Sequence, residues 1–449
     1  VLPADPPPAG GPRHPVLVLA ALELIVALPL GLAALRSDPG FADVRLRSFV
    51  KDWFFLGYPV ALGGAAVFVG YLVDRYGRRR LLRAGLALHA GGLVTVAATT
   101  VDGVLLAGVL VAGVGAACLQ VVVLVGVAER ARPDRIDPAA VVVAGLLIAA
   151  TFGAWLPVGA LAEGIGWRWA ALAPVPVALA LWRPAAGFPG PPVLADPRTA
   201  VDHSDRVWRS MSGDVGVWMW LVTLGLTALL VAGHQAALER WSGFPSWLAI
   251  GGLILLAPPF EARIRPPGFA LLGTRVVGLA ALAVGAVAAT AVAGFQAGIM
   301  PWTRDVPTEP VWPVVGALVG AAVAATVSRP PRTVAAVGGV GVLVALGVVL
   351  VSGPAGAVVM GAGIGLMLTG LLGAVPAPRA GLAGAQGGWL VAAWEVGGVA
   401  VLSVFAAGQA ASWPYELVTA AVCVAGAALA ATATVLLPAV PPDPADAAG

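Results

Sequence analysis

The sequence predicts an all-α polytopic membrane protein with fourteen spans and both termini in the cytoplasm, and three observations lead there. Of 449 residues, 59% are hydrophobic and 11% charged, with a mean hydropathy of +0.92, whereas soluble domains carry about 25% charged residues. Apolar runs close to the roughly 20 residues that cross a hydrocarbon core of about 30 Å recur along the whole chain. The arginines collect in alternate connecting segments, the distribution that orients membrane helices.

Taken in order, residues 1–15 are proline-rich and read as a cytoplasmic tail without a core of its own. The run 16–35 is too long for a signal-peptide core and has no small-residue cleavage site, so it is expected to stay as the first span. Runs at 53–73, 81–100, 103–128, 139–161 and 167–183 complete a first set of six. A proline-rich, charged segment at 184–214 reads as a cytoplasmic linker. Runs 215–233 and 246–260 follow, the second short and interrupted by Pro258 and Pro259. A last set lies at 276–297, 311–328, 333–352, 354–375, 386–408 and 416–438, before a tail at 439–449. The expected organisation is two six-helix bundles, 16–183 and 276–438, with an inserted pair at 215–260.

Charge placement tests the arrangement. With both termini inside, nineteen of the 26 basic residues fall in inner segments; the outer ones hold Arg36, Arg45, Arg47, Lys51, Arg168, Arg240 and Arg304. Dropping the inserted pair would keep the same parity, so twelve and fourteen spans both satisfy this rule. A net charge of +3 and a pI near 9.2 do not indicate nucleic acid, because the arginines are spread over short loops rather than one face. Cys118 and Cys423 lie within apolar runs, which gives neither a disulfide framework nor a metal site. There is no P-loop, nucleophile elbow, HExxH or CxxC, so nothing points to an enzyme or to a cofactor. A single lysine among the basic residues reads as GC-rich coding and a bacterial source.

Between the second and third runs stands Gly70-Tyr-Leu-Val-Asp74-Arg75-Tyr-Gly77-Arg78-Arg79-Arg80. The pattern Gly-x-x-x-Asp-Arg-x-Gly-Arg-Arg at this place resembles the signature loop of the major facilitator superfamily of transporters. Gly166-Trp-Arg-Trp169 before the sixth run, and Glu261-x-Arg263 with Pro266, Pro267 and Arg275 after the eighth, are similar to the fourteen-span drug:proton antiporter branch. Glu23 with Ala27-Leu28-Pro29 echoes that family's first-span motif at contracted spacing. The family's fourth-span arginine and glutamine are absent; Val109 and Ala112 to Gly115 stand in that frame. The fifth-span glycine-proline motif survives loosely as Gly153, Pro157 and Gly159.

The resemblance implies a major facilitator fold and gives the signature residues roles. Asp74 would meet the start of the fifth helix of the opposite bundle, near Gly381 to Gly388, as a conformational gate. Gly70 would permit close helix approach, Gly77 the tight turn, and Arg75, Arg78 and Arg79 a charge network. Independently of any family, Glu23 and Glu395 are the acids placed well inside apolar runs. An intramembrane carboxylate costs roughly 2.5 to 3.5 kcal/mol on insertion scales and normally faces a bundle interior or wet cavity, so both are candidates for proton coupling or cation recognition. A glutamate merely satisfied by a neighbouring helix is the structural alternative. Trp155 and Trp394 are placed centrally enough to line a cavity, whereas Trp53, Trp167, Trp302, Trp312 and Trp413 read as an interfacial belt, and His234 as an interfacial polar residue.

The expected function is proton-coupled efflux of a hydrophobic or cationic small molecule by a monomer in the cytoplasmic membrane, in contact with protons and lipid, in the manner of multidrug antiporters. A transporter-like membrane scaffold or lipid-handling subunit is the alternative.

Overall fold

In hydrocarbon a backbone can satisfy its own N–H and C=O groups only within helices or a closed barrel, and the apolar runs of this chain take the first course. A computed structural model describes residues 15–29, 48–130, 136–153, 155–187, 214–239, 243–261, 275–299, 311–327, 330–352, 354–374 and 383–437. Among them the regular structure is helical. The first helices are α1 (Pro15–Ala27), α2 (Ser48–Tyr76), α3 (Arg78–Ala98) and α4 (Asp102–Ala128). The fifth run forms α5 (Pro138–Gly153) and α6 (Trp155–Ile165), and the sixth α7 (Trp167–Leu172) and α8 (Pro174–Leu181). Then come α9 (Asp214–Glu239), α10 (Gly243–Glu261), α11 (Arg275–Ile299), α12 (Val311–Thr326), α13 (Pro331–Ser352), α14 (Pro354–Ala374), α15 (Ala383–Ala410) and α16 (Tyr415–Leu436).

Every expected run is helical where it falls on described residues, the fifth and sixth as two helices each and the others with bounds shifted by a few residues. The sharpest differences have local causes. Pro174 begins α8, and having no N–H it cannot donate back into the preceding turn. Gly166, at φ +89°, separates α6 from α7. Pro258 and Pro259 do not shorten α10, which runs on to Glu261. The tails and most of the expected linker, residues 188–213, lie outside the described residues. By length and composition, α2, α3, α4, α14, α15 and α16 are long and apolar enough to cross a membrane, and further apolar stretches of 10–17 residues occur in α1, α5, α7 with α8, and α9 to α12.

Packing follows from which faces are apolar and small. From Ala112 to Ala128, α4 is buried except at Val114, and it touches α1, α2, α3 and α15. A helix apolar all round belongs at the centre. α3 packs on α4 and α7, while α1 packs on α4, α5 and α8. Later in the chain, α12 and α13 pack on α14, and α16 packs on α11 and α13. The α12–α14 contact is made through Gly316, Gly320, Gly361 and Gly365, where an added Cβ would collide with the facing backbone; small residues let helices without a hydrophobic driving force come close. The early and late helices meet along two seams, α2 with α15 and α5 with α12. α9 lies against α2 and α15 together, with Leu230 packed between Val60 and Val399.

Candidate functional site

The signature turn is built by Gly77. Its φ of +84° is costly for other residues, and it lets α3 begin with only this residue between it and α2, with the Gly77 N–H donating to the Val73 carbonyl at 3.0 Å. That turn leaves Asp74 in the last turn of α2, facing the start of α15. Oδ1 accepts from the Gly384 N–H at 2.7 Å and Oδ2 from the Ala385 N–H at 2.8 Å. These are N–H groups that the first turn of a helix leaves unpaired, and the positive end of the helix favours an anion there. The helices approach closely because Gly70 and Gly384 face each other: a Cβ on either would overlap the backbone of the other, and one on Gly388 would overlap that of Ala66.

Arg78, the first residue of α3, is buried and makes a bidentate ion pair with Glu129, at the C-terminal end of α4. The pair ties the two ends of the α3–α4 hairpin. Arg75 does something different from Arg78: it donates to the Tyr71 hydroxyl at 2.7 Å and lies over the Tyr76 ring at 5.6 Å. Arg79 is exposed. Hydrogen bonds to charged groups contribute about 1.5 to 3 kcal/mol, so Arg78→Ala is expected to lower stability by about that amount in a thermal melt of the detergent-solubilised chain. Arg78→Lys should recover only part of it, because an ammonium cannot reproduce the two-pronged fork. Full recovery by lysine would contradict a bidentate role.

Glu23 and Glu395 line one cavity. Its wall is shared by α1, α2, α4 and α5 on one side and α11, α14 and α15 on the other, and it is mainly apolar, with Leu62 and Leu368 representative. Small-molecule sites are usually concave and mainly apolar, with a few placed polar groups. Glu23 is 1% exposed, and neither carboxyl oxygen has a hydrogen-bond partner. Gln120 of α4 lies beside it, close enough to interact but without a hydrogen bond of normal geometry. Glu395 is half-buried and gains its place because α2 has Gly63 opposite: a Cβ there would overlap the Glu395 side chain. Trp394 lines the same cavity and is 9% exposed. The Trp155 side chain lies outside the described residues.

Three residues around this site escaped the sequence reading. Gln120 was legible as a lone amide in an apolar run. Gly63 was not, since its value lies in what faces it across the helix. Tyr58 donates to the Val26 carbonyl at 2.8 Å, one turn from Glu23, and nothing in an aromatic residue of an apolar run announces that bond. Two expectations of interfacial placement are corrected. Trp167 is buried, edge-on to Phe54 at 6.4 Å between ring centroids and with the Arg168 guanidinium 4.7 Å from its own ring. His234 is 6% exposed, and both its ring nitrogens lack a hydrogen-bond partner, because α9 is pressed against α2 and α15 rather than left at a surface. No group of His, Cys, Asp and Glu able to hold a metal occurs among the described residues.

No family model matches the chain. It is similar to a cephamycin export protein of Amycolatopsis lactamdurans, at 28% identity over 274 residues, which is 59% of this chain and 51% of that protein. It is 26% identical over 245 residues to an uncharacterised MFS-type transporter of Mycobacterium tuberculosis, covering 54% of this chain and 42% of that one. A multidrug resistance protein B homologue from the same species is 29% identical over 205 residues, 42% of this chain and 37% of its own length. The chain thus spans about half or less of the length of these curated relatives. Among solved structures, it resembles the MFS proton:xylose symporter with a TM-score of 0.60 and 11% identity over 95% of both chains. It resembles an MFS transporter, FucP, in the outward conformation with a TM-score of 0.56 and 12% identity, over 95% of this chain and 99% of that one. At such identities the likeness is one of fold.

Proposed function

We propose that this chain, which has the major facilitator fold and transporter relatives, is a secondary active transporter that exports a hydrophobic or cationic small molecule against proton entry. The observation that carries the proposal is the cavity holding one carboxylate from α1 and one from α15. α1 belongs to the early helices and α15 to the late ones. If these are two bundles with α9 and α10 inserted between them, fourteen spans in all with cytoplasmic termini, each swing of one bundle against the other changes the access of both acids.

A carboxylate in such a place exchanges a proton or pairs with a cation, and apolar walls with Trp394 suit a greasy cargo. Names of relatives that refer to cephamycin export and multidrug resistance support export as the direction. Asp74 seated on the N-terminus of α15 is read as the latch that holds the two sets together at their inner ends, which makes the present state the outward-facing or occluded one. Arg78, through Glu129, is read as holding the turn that presents Asp74.

The test is efflux from cells stripped of other pumps, with and without an uncoupler, for the full chain and for Glu23→Gln and Glu395→Gln. Uncoupler-sensitive efflux of an amphiphilic cation is expected, with at least a tenfold loss in each variant, equivalent to about 1.4 kcal/mol or more. Unchanged coupling in both variants would remove the acids from the mechanism.

A further inference from the structure

His89 lies on α3 and is completely buried. Its Nδ1 is 3.1 Å from the Ala112 carbonyl oxygen on α4, and its Nε2 is 3.0 Å from the Ile25 carbonyl oxygen on α1. A carbonyl oxygen can only accept, and a neutral imidazole has one N–H and one bare lone pair. A neutral ring would therefore set a lone pair against a carbonyl lone pair at hydrogen-bond distance. Only the ring carrying both protons satisfies the two contacts.

The chain makes the demand acute at Ile25. The α-helical partner of that carbonyl would be the N–H four residues on, and position 29 is Pro29, which has none. The oxygen is left for His89. It also lies near the C-terminal end of α1, where the helix dipole favours a cation.

A buried cation is tolerated only when paired and hydrogen-bonded. Of the ionisable groups on the helices that bond to or pack on His89, α1 carries the Glu23 carboxyl, two residues before Ile25 in sequence, whose buried oxygens have no hydrogen-bond partner. α2 contributes the Tyr58 phenol, its ring edge-on to His89 at 6.0 Å, with the hydroxyl committed to Val26. α4 contributes Cys118, packed at Gly85 one turn before His89. Arg168 of α7 is engaged with the Ala97 and Thr99 carbonyls at the C-terminal end of α3, and Arg78 pairs with Glu129 at its other end. α8 brings no ionisable side chain.

We infer that His89 is held as a doubly protonated imidazolium between the Ile25 and Ala112 carbonyls and is the positive counterpart of Glu23. It is a positioning residue: it fixes the end of α1 against α3 and α4 and sets the electrostatics of the cavity acid without touching cargo. What Glu23 then does rests on the proposed function; the charge on the ring does not.

The chain has four histidines. Replacing His14, His203 and His234 by glutamine leaves His89 as the one signal in a protein labelled with ¹⁵N in its histidine rings. In lipid nanodiscs near neutral pH, both ring nitrogens are expected to show the shift and proton coupling of N–H groups; one bare nitrogen overturns the inference. Adding Glu23→Gln is expected to remove one ring proton, and retention of both would overturn the pairing with Glu23. Should that variant not fold, the first spectrum still decides the charge. Both spectra as expected in a chain that shows no uncoupler-sensitive efflux would sink the transport reading and leave this one standing.

Discussion

Asp74→Asn is expected to shift the chain away from the state described here, toward one in which the α2–α15 seam has opened. The carboxylate accepts two N–H bonds from the first turn of α15. An asparagine keeps one acceptor oxygen but turns an NH₂ toward the second N–H, so one bond becomes a donor–donor clash and the charge is lost. An anion at a helix N-terminus contributes up to about 2 kcal/mol when partly buried, and each 1.4 kcal/mol is roughly a tenfold change in a population ratio. The ratio of closed to open seam should fall about 3- to 30-fold. Spin labels at Arg80 and Thr333, both exposed and one on each set of helices, would report it as a longer distance in pulsed electron resonance. Transport should fall with it. An unchanged distance distribution together with intact transport would end the latch assignment.

A larger effect is expected from adding a single methyl group at the seam. In Gly70→Ala or Gly384→Ala the new Cβ meets backbone atoms of the other helix rather than a side chain that can rotate away, and at Gly384 it also comes within 3.0 Å of Asp74 Oδ1. Overpacking of this kind costs typically 1 to 3 kcal/mol, and it acts only on the closed seam. The same label pair should show mostly the open state, and export should drop more than tenfold. Gly91→Ala is the control: on α3, nothing lies within 4 Å of the added atom, so distances and transport should match the parent chain. A Gly384→Ala chain with the parent's distance distribution would mean that the seam does not need this close contact.

The residues of the signature turn show how far a linear reading reaches. Gly77 and Asp74 were legible because a turn between two apolar runs has local requirements, a positive φ and a carboxylate in the last turn, that local sequence satisfies. The partner of Asp74 lies 310 residues on, and only resemblance to a family pointed to it. Arg78 and Arg75 read alike as members of a charge network, yet one pairs with Glu129 and the other turns to tyrosines, according to which helix end each faces. Glu23 and Glu395 stood out as acids in apolar runs; that they share one cavity depends on Gly63 leaving room and on how the two sets of helices meet. His89 gave no signal, because its role comes from a carbonyl freed by Pro29 sixty residues earlier.

By itself, the sequence determined the helices, since hydrocarbon forces any long apolar run to satisfy its own backbone, and it determined which side chains are too polar to be there without a reason. The tertiary structure alone decided which of those side chains meet. Helices in lipid associate through close packing and hydrogen bonds rather than through the burial of an apolar face, so the residues that choose their partners are glycines and freed carbonyls. Neither leaves a periodic trace along a chain that is apolar on every side.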